Sequence, residues 1–328
     1  MDEYRGEKVL ITGGLGFIGS NLAINLVKAG ASVTILDSLH PTCGGNAFNI
    51  EPVRNDVEVI EGDAADLDLL RKLIRQKQYV FNLAGHVSHI ESMEDPFSDL
   101  HMNALAPLTV LEAVRLENRS ACVVYAGTRQ SYGRPESLPL VETHLLKPLD
   151  VNGVSKMAGE GFHMVYYRAH GIPAVSLRLV NTYGPRLLVK HARQGFIGWF
   201  IRQAIDGEEI QLFGDGQQLR GFNYIDDVVS ALLIAGTNKK LRGDYYNLGG
   251  ERPVTLEAFV QLLLRITGRG SYRIVPFPSE KQAIDIGSVY TSAAKFSAAT
   301  GWKPAVTLEE GLARTVEYYQ NHRAKYWS

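Results

Sequence analysis

The sequence has little cysteine, almost no net charge and no long apolar run. Two cysteines among 328 residues are too few for a disulfide framework, and Cys122 opens an apolar run typical of a buried thiol. A formal net charge of −1 gives no electrostatic reason to expect nucleic acid or an anionic membrane as a partner. No apolar run is long enough to span a bilayer, and the polar start from Met1 to Arg5 has no apolar signal core. We therefore expect a cytoplasmic protein, and we predict no metal site.

A glycine-rich turn stands between an apolar strand and a helix near the start of the chain. Lys8–Thr12 is a short apolar run, and residues 20–28 have the helical spacing of apolar side chains. Between them lie Gly13, Gly16 and Gly19. Glycines let the backbone approach a pyrophosphate, whose charge then lies on the free amides of a helix N-terminus. The pattern predicts a dinucleotide site; the alternative is a tight turn in an α/β protein that binds no nucleotide.

An acidic residue ends the second predicted strand. Residues 33–36 form that strand, and Asp37 follows it about twenty residues after the glycine turn. A carboxylate at this position accepts hydrogen bonds from an adenine-ribose diol and repels a 2′-phosphate. We therefore predict NAD rather than NADP as the cofactor.

Strands and helices alternate through the first half of the chain, which predicts an α/β fold with a doubly wound parallel sheet. Val57–Glu61 is the predicted third strand, and residues 79–85 are the fourth. Asp63 is suited to meet the adenine amino group or, alternatively, to cap a helix from about Leu67. Helices are also predicted at 99–118 and 154–170, and strands at 121–126 and 173–179.

After Asn181 glycine and proline become more frequent and the predicted elements shorter. Residues 1–181 with about 221–243 are predicted to form a cofactor-binding domain. Residues of about 182–220 with 244–328 are predicted to form a smaller lobe. A cleft between two such lobes is a usual place for a small-molecule site.

Several further motifs accompany the glycine turn and its acidic partner. They are residues 82–85 (NLAG), 128–133 (TRQSYG), 155–156 (SK), 181–185 (NTYGP), 220–227 (RGFNYIDD), 247–249 (NLG) and 301–304 (GWKP). With these motifs the chain resembles, over nearly its whole length, the extended short-chain dehydrogenase/reductase family, in particular its nucleotide-sugar epimerases and dehydratases of the UDP-glucose 4-epimerase type. The resemblance implies a Rossmann domain that holds NAD and a smaller C-terminal lobe that holds a nucleoside-diphosphate sugar.

In that family the reaction begins with oxidation of a sugar hydroxyl. A hydride moves to NAD while a tyrosinate takes the hydroxyl proton, and a lysine one helical turn later lowers the tyrosine pKa. A serine or threonine hydroxyl orients the sugar oxygen. The resulting ketone is re-reduced from its other face, which gives an epimer, or its acidified neighbouring C–H is deprotonated, which leads to dehydration.

The resemblance places two of these three side chains but not the third. Lys156 matches the family lysine and Thr128 the family hydroxyl, whereas Asn152 occupies the tyrosine position. An amide cannot act as a base near neutral pH, although it donates and accepts hydrogen bonds. The usual proton acceptor is therefore absent from that position.

Three interpretations of this departure remain open. In the first, another side chain accepts the proton: His89, which lies with His86 after the fourth strand, is suited to this near neutral pH. Further candidates for the same role are Tyr125, Tyr132 and Tyr183. In the second, Lys156 is itself the base, since burial depresses the pKa of lysine. In the third, the chain binds NAD and a nucleotide-sugar without turnover. We favour catalysis.

A second departure concerns the two residues after Thr128. Family members that perform 4,6-dehydration carry Asp-Glu there, whereas this chain has Arg129 and Gln130. Neither side chain can do that acid–base work. We therefore predict epimerisation through a transient keto sugar, with dehydration or decarboxylation as the alternative.

Polar and basic residues from Asn181 onwards are expected to bind the substrate. Asn181 and Arg220 match family positions that contact the diphosphate, although Gly221 stands where relatives carry Asp. A basic cluster is either a solvated face or a site for an anionic group such as a uronate carboxylate; it comprises Arg186, Lys190, His191 and Arg193. Lys281 is a candidate for a second phosphate contact.

The predicted ligand contacts divide into two sets. The cofactor set is Gly13, Gly16, Phe17, Ile18, Gly19, Asp37, Ser38, Asp63, Ala64, Leu83, Ala84, Gly85, Asn103 and Lys156. The substrate set is Ser88, Thr128, Asn181, Lys190, Arg193 and Arg220. The predicted catalytic residues are Thr128, Lys156, Asn152 and His89.

Only the family resemblance predicts a homodimer. In relatives, the helices that correspond to 99–118 and 154–170 pack against their copies as a four-helix bundle. A stripe with helical spacing fits such an interface or the chain's own core; it comprises Phe162, Val165, Tyr166 and Ala169.

Overall fold

Strands and helices alternate from the first strand to residue 179 in the computed structural model, which describes residues 2–250, 252–277 and 286–327. The elements of this part are β1 (Lys8–Thr12), α1 (Phe17–Lys28), β2 (Ser32–Asp37), β3 (Val57–Glu61), α2 (Leu67–Ile74), β4 (Tyr79–Asn82), α3 (His89–Glu94), α4 (Pro96–Leu100), α5 (Ala106–Glu117), β5 (Cys122–Thr128), α6 (Val151–His170) and β6 (Ala174–Leu179).

The second half of the chain contributes shorter strands between its helices. They are β7 (Asn181–Tyr183), α7 (Phe196–Asp206), β8 (Glu209–Phe213), β9 (Leu219–Arg220), β10 (Phe222–Tyr224), α8 (Ile225–Thr237), β11 (Asp244–Asn247), β12 (Val254–Thr255), α9 (Leu256–Thr267), β13 (Ser271–Val275), α10 (Ala294–Thr300), α11 (Leu308–Asn321) and α12 (Arg323–Tyr326).

A seven-stranded parallel sheet forms the centre, in the spatial order β11-β6-β5-β4-β1-β2-β3. The predicted α/β class and doubly wound sheet are thus confirmed. From β1 the chain runs outward to β3 and then returns to β4 on the other side of β1. The strand order therefore reverses between β1 and β4, and ligands of such sheets bind beyond the carboxyl ends of the strands at that point.

The sheet is buried because helices cover both of its faces. Successive side chains of β1 point to opposite faces: Val9 and Ile11 belong to one apolar core, and Leu10 belongs to the other. The first core includes side chains of α1 and α8, and the second includes side chains of α2 and α5. Such two-sided burial suits strands that read as continuous apolar runs.

Several elements differ from their predicted bounds. The predicted helix 99–118 is three pieces, since a π-helical turn (His101–Leu105) separates α4 from α5. Helix α6 begins three residues before the predicted 154, because the Asp150 side chain caps it by accepting a hydrogen bond from the Gly153 amide at 2.7 Å. β11, which the sequence places at the start of the smaller lobe, pairs with β6 in the main sheet.

The predicted apolar stripe on α6 divides between two environments. Tyr166 is buried in the second core and Phe162 packs against it, whereas Val165 is 46% exposed and Ala169 is exposed. Cys122 is buried and free, as expected. Within the described residues, no helix is long and apolar enough to cross a membrane and no cluster of side chains could hold a metal ion.

A buried ion pair ties α6 to β6 near the carboxyl end of the sheet. Arg178 Nη2 lies 2.5 Å from Glu160 Oε1, with the two side chains 2% and 7% exposed. Arg178 Nη1 also donates to the hydroxyl of Tyr132 at 2.6 Å, and that hydroxyl donates to Asn247 Oδ1 at 2.8 Å. The network therefore joins α6, the turn after β5 and the end of β11.

Glu160→Gln should lower the free energy of unfolding by about 3–5 kcal/mol, because it leaves the Arg178 charge buried without its partner. Denaturant unfolding measures the loss. The matched control is Glu310→Gln: Glu310 pairs with Arg314 at the same 2.5 Å but both side chains are about half exposed, so its loss should stay below about 1 kcal/mol. Equal losses in the two variants would contradict the role given to burial.

Candidate active site

The glycine turn after β1 packs directly against the backbone that follows β4. Gly13 has a φ of +70°, and a Cβ there would lie 2.9 Å from the Cα and N atoms of Ala84. Only glycine avoids both the strain and the clash. Gly16 precedes α1 without a side-chain cap, so the first amides of the helix remain free of side-chain acceptors. This surface fits the phosphates of a dinucleotide.

The carboxylate of Asp37 braces the same turn. Oδ2 accepts a hydrogen bond from the Leu15 amide and Oδ1 accepts one from the Leu39 amide, both at 2.9 Å. Burial raises the pKa of Asp37, which these bonds oppose. Each oxygen retains a further lone pair for a ribose hydroxyl.

Asp63 lies further along the same wall and pairs with a residue that sequence reasoning missed. Its Oδ2 is 2.7 Å from His101 Nε2, and its Oδ1 accepts a hydrogen bond from the Ala65 amide at 2.8 Å. The cap of α2 is Asp66, which accepts from the Leu69 amide at 3.0 Å. The alternative in which Asp63 caps this helix is therefore wrong.

The glycine turn, Asp37 and Asp63 line one cleft of about 410 Å³ at the carboxyl ends of the strands. Of the predicted residues, it brings together Gly13, Gly16, Phe17, Ile18, Gly19, Asp37, Ser38, Asp63, Ala64, Leu83, Ala84, Gly85, His89, Thr128, Asn152, Lys156 and Asn181. Asn103 is buried behind the wall. The volume lies within the usual range for small-molecule sites.

Asn152 is held in a buried polar network behind the cleft. Its Nδ2 donates to the carbonyl oxygen of His86 and to Asp99 Oδ2, both at 2.8 Å. Asn103 donates to the same Asp99 oxygen at 2.9 Å and accepts from the His86 amide at 3.0 Å. Burial opposes ionisation of Asp99, but hydrogen bonds from His86, Asn152 and neighbouring side chains prevail and lower its pKa. The amide of Asn152 thus fixes the segment after β4.

Lys156 lies one helical turn after Asn152 and is buried against Gly85. A Cβ on Gly85 would lie 2.7 Å from Lys156 Nζ and 2.6 Å from Asn103 Oδ1, so the glycine makes room for the lysine. Burial lowers the pKa of Lys156 to about 8, which the charge of Asp99 partly opposes.

His89 lines the same cleft between a carboxylate and an amide. Its Nδ1 pairs with Asp150 Oδ2, and its Nε2 is 2.6 Å from Gln130 Nε2. Burial raises the pKa of Asp150, but the bond from His89 prevails, so the pKa is lowered and the carboxylate is ionised near neutral pH. A proton on Nδ1 leaves the lone pair on Nε2, where it accepts a hydrogen bond from the Gln130 amide. A ligand hydroxyl that replaces this amide would meet the lone pair of a histidine suited to proton transfer.

Gln130 connects this histidine to Thr128. The backbone amide of Gln130 donates to Thr128 Oγ1 at 3.2 Å. The two side chains predicted to handle the sugar hydroxyl, Thr128 and His89, therefore share a neighbour at the end of β5. Tyr125 and Tyr183 lie in the buried core, where burial raises the pKa of each phenol well above its usual value. Tyr132 is engaged by Arg178.

Of the predicted substrate residues other than Thr128, one lines the cleft and two are buried and hydrogen-bonded to the protein itself. Asn181 lines the cleft, and its Nδ2 donates to the Gly221 carbonyl at 3.1 Å. Arg220 is buried and donates from Nη1 to the Gly287 carbonyl at 2.5 Å. Ser88 is buried and caps α3 by accepting from the Glu91 amide at 3.2 Å.

The residues of the predicted basic cluster differ in their exposure and in their partners. Arg193 is 65% exposed and pairs with Glu91 at 3.3 Å, and Lys190 is exposed. Arg186 bonds to the Asn49 carbonyl and to Asn21 Oδ1. Lys281 lies outside the described residues.

Comparison with known proteins agrees with this geometry. Residues 9–249 match the model of the NAD dependent epimerase/dehydratase family. The chain is 31% identical to a putative UDP-glucose 4-epimerase of Methanocaldococcus jannaschii, over 96% of this chain and 99% of that protein. It is 29% identical to UDP-glucuronic acid decarboxylase 1 of Xenopus tropicalis, over 98% of this chain and 74% of that protein. A solved epimerase structure from Methanothermobacter thermautotrophicus has a TM-score of 0.92 at 27% identity, covering 98% of this chain and 95% of that one.

The chain belongs to the NAD-dependent epimerase/dehydratase family. The family resemblance and the prediction of NAD as cofactor are thereby confirmed. For this family member, the glycine turn, Asp37 and the wall from Leu83 to Gly85 are the residues that would hold the dinucleotide. The named relatives carry different activities, so the family by itself does not select one reaction.

Asp99, Asp150 and His101 are site residues that sequence reasoning did not identify. Asp150 has a local signal, an acidic residue directly before a helix, but this signal indicates a cap and not a histidine partner. His89 is distant in sequence from Asp150, so only the folded chain shows the pair.

Asn152→Asp should destabilise this family member more at pH 8 than at pH 5. The variant places a second carboxylate beside Asp99 Oδ2, and two adjacent carboxylates raise the pKa of the pair in the folded state. The folded protein then binds more protons than the unfolded chain, and the stability falls as pH rises through the raised pKa. Denaturant unfolding should show a loss about 1–3 kcal/mol larger at pH 8. Asn152→Ala, the control, should show a loss that does not change over this range.

Proposed function

We propose that this chain is a nucleotide-sugar epimerase that acts through a transient keto sugar, with His89 as the proton acceptor in place of the family tyrosine. The observation that carries the proposal is the His89–Asp150 pair, which opens onto the cleft beside Thr128 and Gln130. A carboxylate on Nδ1 fixes the tautomer whose Nε2 accepts a proton, and it stabilises the imidazolium that forms.

In this mechanism the chain holds the sugar and moves its proton. Bound NAD supplies the acceptor, and later the donor, of a hydride. Thr128 would donate a hydrogen bond to the sugar oxygen, and His89 Nε2, with the sugar hydroxyl in place of the Gln130 amide, would take the hydroxyl proton. After the keto sugar presents its other face, His89 would return the proton to the sugar oxygen, and the product is the epimer.

Lys156 is the weaker candidate for the base. It lies against Gly85 and next to the Asp99 network, on the wall predicted to hold the cofactor. A pKa of about 8 leaves most of the side chain protonated at neutral pH, and a protonated amine cannot accept a proton. In the proposal Lys156 therefore binds the cofactor and contributes positive charge.

The residues after Thr128 support epimerisation over dehydration. Gln130 lies at the position of the dehydratase glutamate, and its side chain contacts His89 Nε2. A neutral amide cannot remove a carbon-bound proton. Its N–H instead donates to His89 Nε2, a bond that the sugar hydroxyl would have to replace.

We also propose that the chain forms a homodimer through α4, the turn after it and α6. Large apolar side chains are exposed along these elements: Phe97 is 81% exposed, Leu100 50%, Leu105 46%, Val154 48% and Val165 46%. A second copy would cover them, as the family resemblance implies. The predicted two-lobe division and the predicted substrate contacts likewise remain proposals.

His89→Gln should lower kcat by about 10²–10⁴-fold, the usual contribution of a general base. Asp150→Asn should also lower kcat, because an amide no longer selects the Nδ1–H tautomer of His89. Asparagine still caps α6. The assay follows the reduced-nicotinamide absorbance and the sugar product by NMR over a panel of nucleotide-sugars. His170→Gln is the matched control, since His170 is exposed and outside the cleft lining. Wild-type turnover by His89→Gln would refute the assignment of the base.

Phe97→Glu should convert the dimer to a monomer, because it places a charge on the face that the second copy covers, at its most exposed large apolar side chain. Light scattering coupled to size exclusion measures the mass of both proteins. A wild-type chain that is monomeric at all concentrations would contradict the dimer without affecting the proposed reaction.

A further inference from the structure

Arg186 has a backbone conformation that most L-residues avoid. Its φ is +76°, and in the part of the chain that the structure describes only Leu39, with a φ of +48°, is another residue besides glycine with a positive value. In the left-handed region the Cβ comes too close to the following carbonyl oxygen, so residues other than glycine incur a steric cost. Such strain persists only where the surrounding structure holds it.

The guanidinium of Arg186 is bound to the protein itself. Its Nε donates to the carbonyl oxygen of Asn49 at 2.8 Å, and its Nη1 donates to Asn21 Oδ1 at 2.9 Å. Asn21 Nδ2 in turn donates to the carbonyl oxygen of Pro185 at 3.0 Å, so one side chain holds both residues of the turn. The guanidinium also lies over the ring of Tyr318, with Cζ 5.3 Å from the ring centre. These contacts stabilise the left-handed conformation.

The two asparagines that hold this turn also contact the cofactor part of the fold. Asn21 lies on α1, the helix that begins after the glycine turn. Asn49 is fully buried, and its Nδ2 donates to the carbonyl oxygen of Leu15 within the glycine turn at 2.8 Å. The conformation of Arg186 is therefore tied to the backbone that is expected to hold the phosphates of NAD.

The segment that follows Arg186 forms part of the cleft wall. Residues 187, 188 and 194–198 line the cleft, whereas Arg186 itself does not. The segment belongs to the smaller lobe that is predicted to hold the nucleotide-sugar. A rotation about the backbone bonds of Arg186 would displace the start of this segment relative to the glycine turn. The backbone of one residue thus sets how the two parts of the wall lie against each other.

We propose that Arg186 is a positioning residue for the nucleotide-sugar and that it acts through the turn it holds, without touching the ligand. The inference rests on the proposed function, because that function requires a nucleotide-sugar in the cleft. In the wild type the guanidinium contacts keep the left-handed turn populated. A variant without them binds the ligand in proportion to the fraction of molecules that retain the turn.

The test compares three substitutions that all remove the guanidinium but differ in their tolerance of a positive φ. Glycine adopts it without steric cost, asparagine adopts it more readily than most residues, and alanine disfavours it. The Kd for the nucleotide-sugar should therefore rise least in Arg186→Gly, more in Arg186→Asn and most in Arg186→Ala. The expected difference between Arg186→Ala and Arg186→Gly is about tenfold, in line with the cost of the left-handed conformation.

Isothermal titration of the full chain in saturating NAD measures these affinities. The ligands are UDP, dTDP, CDP and GDP and the glucose conjugate of each. Denaturant unfolding shows which variants are folded at the temperature of the titration. If Arg186→Ala does not fold, Arg186→Asn and Arg186→Gly retain the comparison. A purely structural role would lower the stability of the variants without a graded change in the Kd of the folded protein.

Arg265 supplies the matched control, because it is 69% exposed within α9 and does not line the cleft. Arg265→Ala and Arg265→Gly should bind the same ligands as tightly as the wild type. Their stabilities should follow the opposite order to those of the Arg186 variants, since glycine is less favourable than alanine inside a helix.

Three results would overturn the inference. They are wild-type affinity in all three Arg186 variants, equal losses of affinity in Arg186→Gly and Arg186→Ala, and no binding of any of these ligands by the wild-type chain.

Product analysis on the same nucleotide-sugars separates this inference from the proposed function. Epimerisation by the wild type, with equal affinities across the Arg186 variants, would overturn the inference and leave the proposed function intact. A graded Kd across these variants, with no altered sugar and no reduced nicotinamide, would support the positioning role and refute the proposed reaction.

Discussion

The geometry of the cleft depends on the buried carboxylate of Asp99. It accepts hydrogen bonds from Asn152 on α6 and from Asn103 on the π-helical turn, and these two amides hold the carbonyl and the amide of His86. The segment after β4 is thereby attached to two helices at once. Because this segment includes Gly85 and leads to His89, one carboxylate fixes both the wall against Lys156 and the start of the helix that carries the imidazole.

Asn152 makes two hydrogen bonds around Asp99 that a tyrosine at the same position could not make. The amide of Asn152 has two N–H donors on one nitrogen, and both are used, one on His86 and one on Asp99. A phenol has one donor and a longer reach. Asparagine in place of the family tyrosine therefore stabilises the backbone after β4 and leaves α6 without the family's base. Asp150, two residues earlier, caps the same helix and holds His89, so the start of α6 supports both the framework and the proposed replacement for the base.

Sequence reasoning succeeded where the signal was local and failed where partners are distant along the chain. The glycine turn and Asp37 lie within one βαβ unit, so spacing alone indicated a dinucleotide site, and the elements around them match closely. The sequence shows Asp99 only as the start of a predicted helix, because no local pattern indicates that it meets Asn152 across the fold. The sequence allows two roles for Asp63, and the structure excludes one of them because Asp66 caps the helix. The reach of Arg129 toward Asn181 likewise depends on the pairing of β5 with β6, which the residue pattern does not encode.

Among the described side chains at the reacting end of the cleft, the cations Lys156 and Arg129 equal the carboxylates Asp99 and Asp150 in number, but the charges are not evenly paired. Lys156 has Asp99 as an acidic neighbour, and Asp150 is paired with His89, but Arg129 has no carboxylate in contact. Burial penalises both cations, which is why the pKa of Lys156 falls to about 8 and that of Arg129 to about 9. Anionic ligands raise both pKa values, because a nearby negative charge favours the protonated forms. Ligand binding and protonation of the site are therefore linked: an anionic ligand near these two cations stabilises their protonated forms.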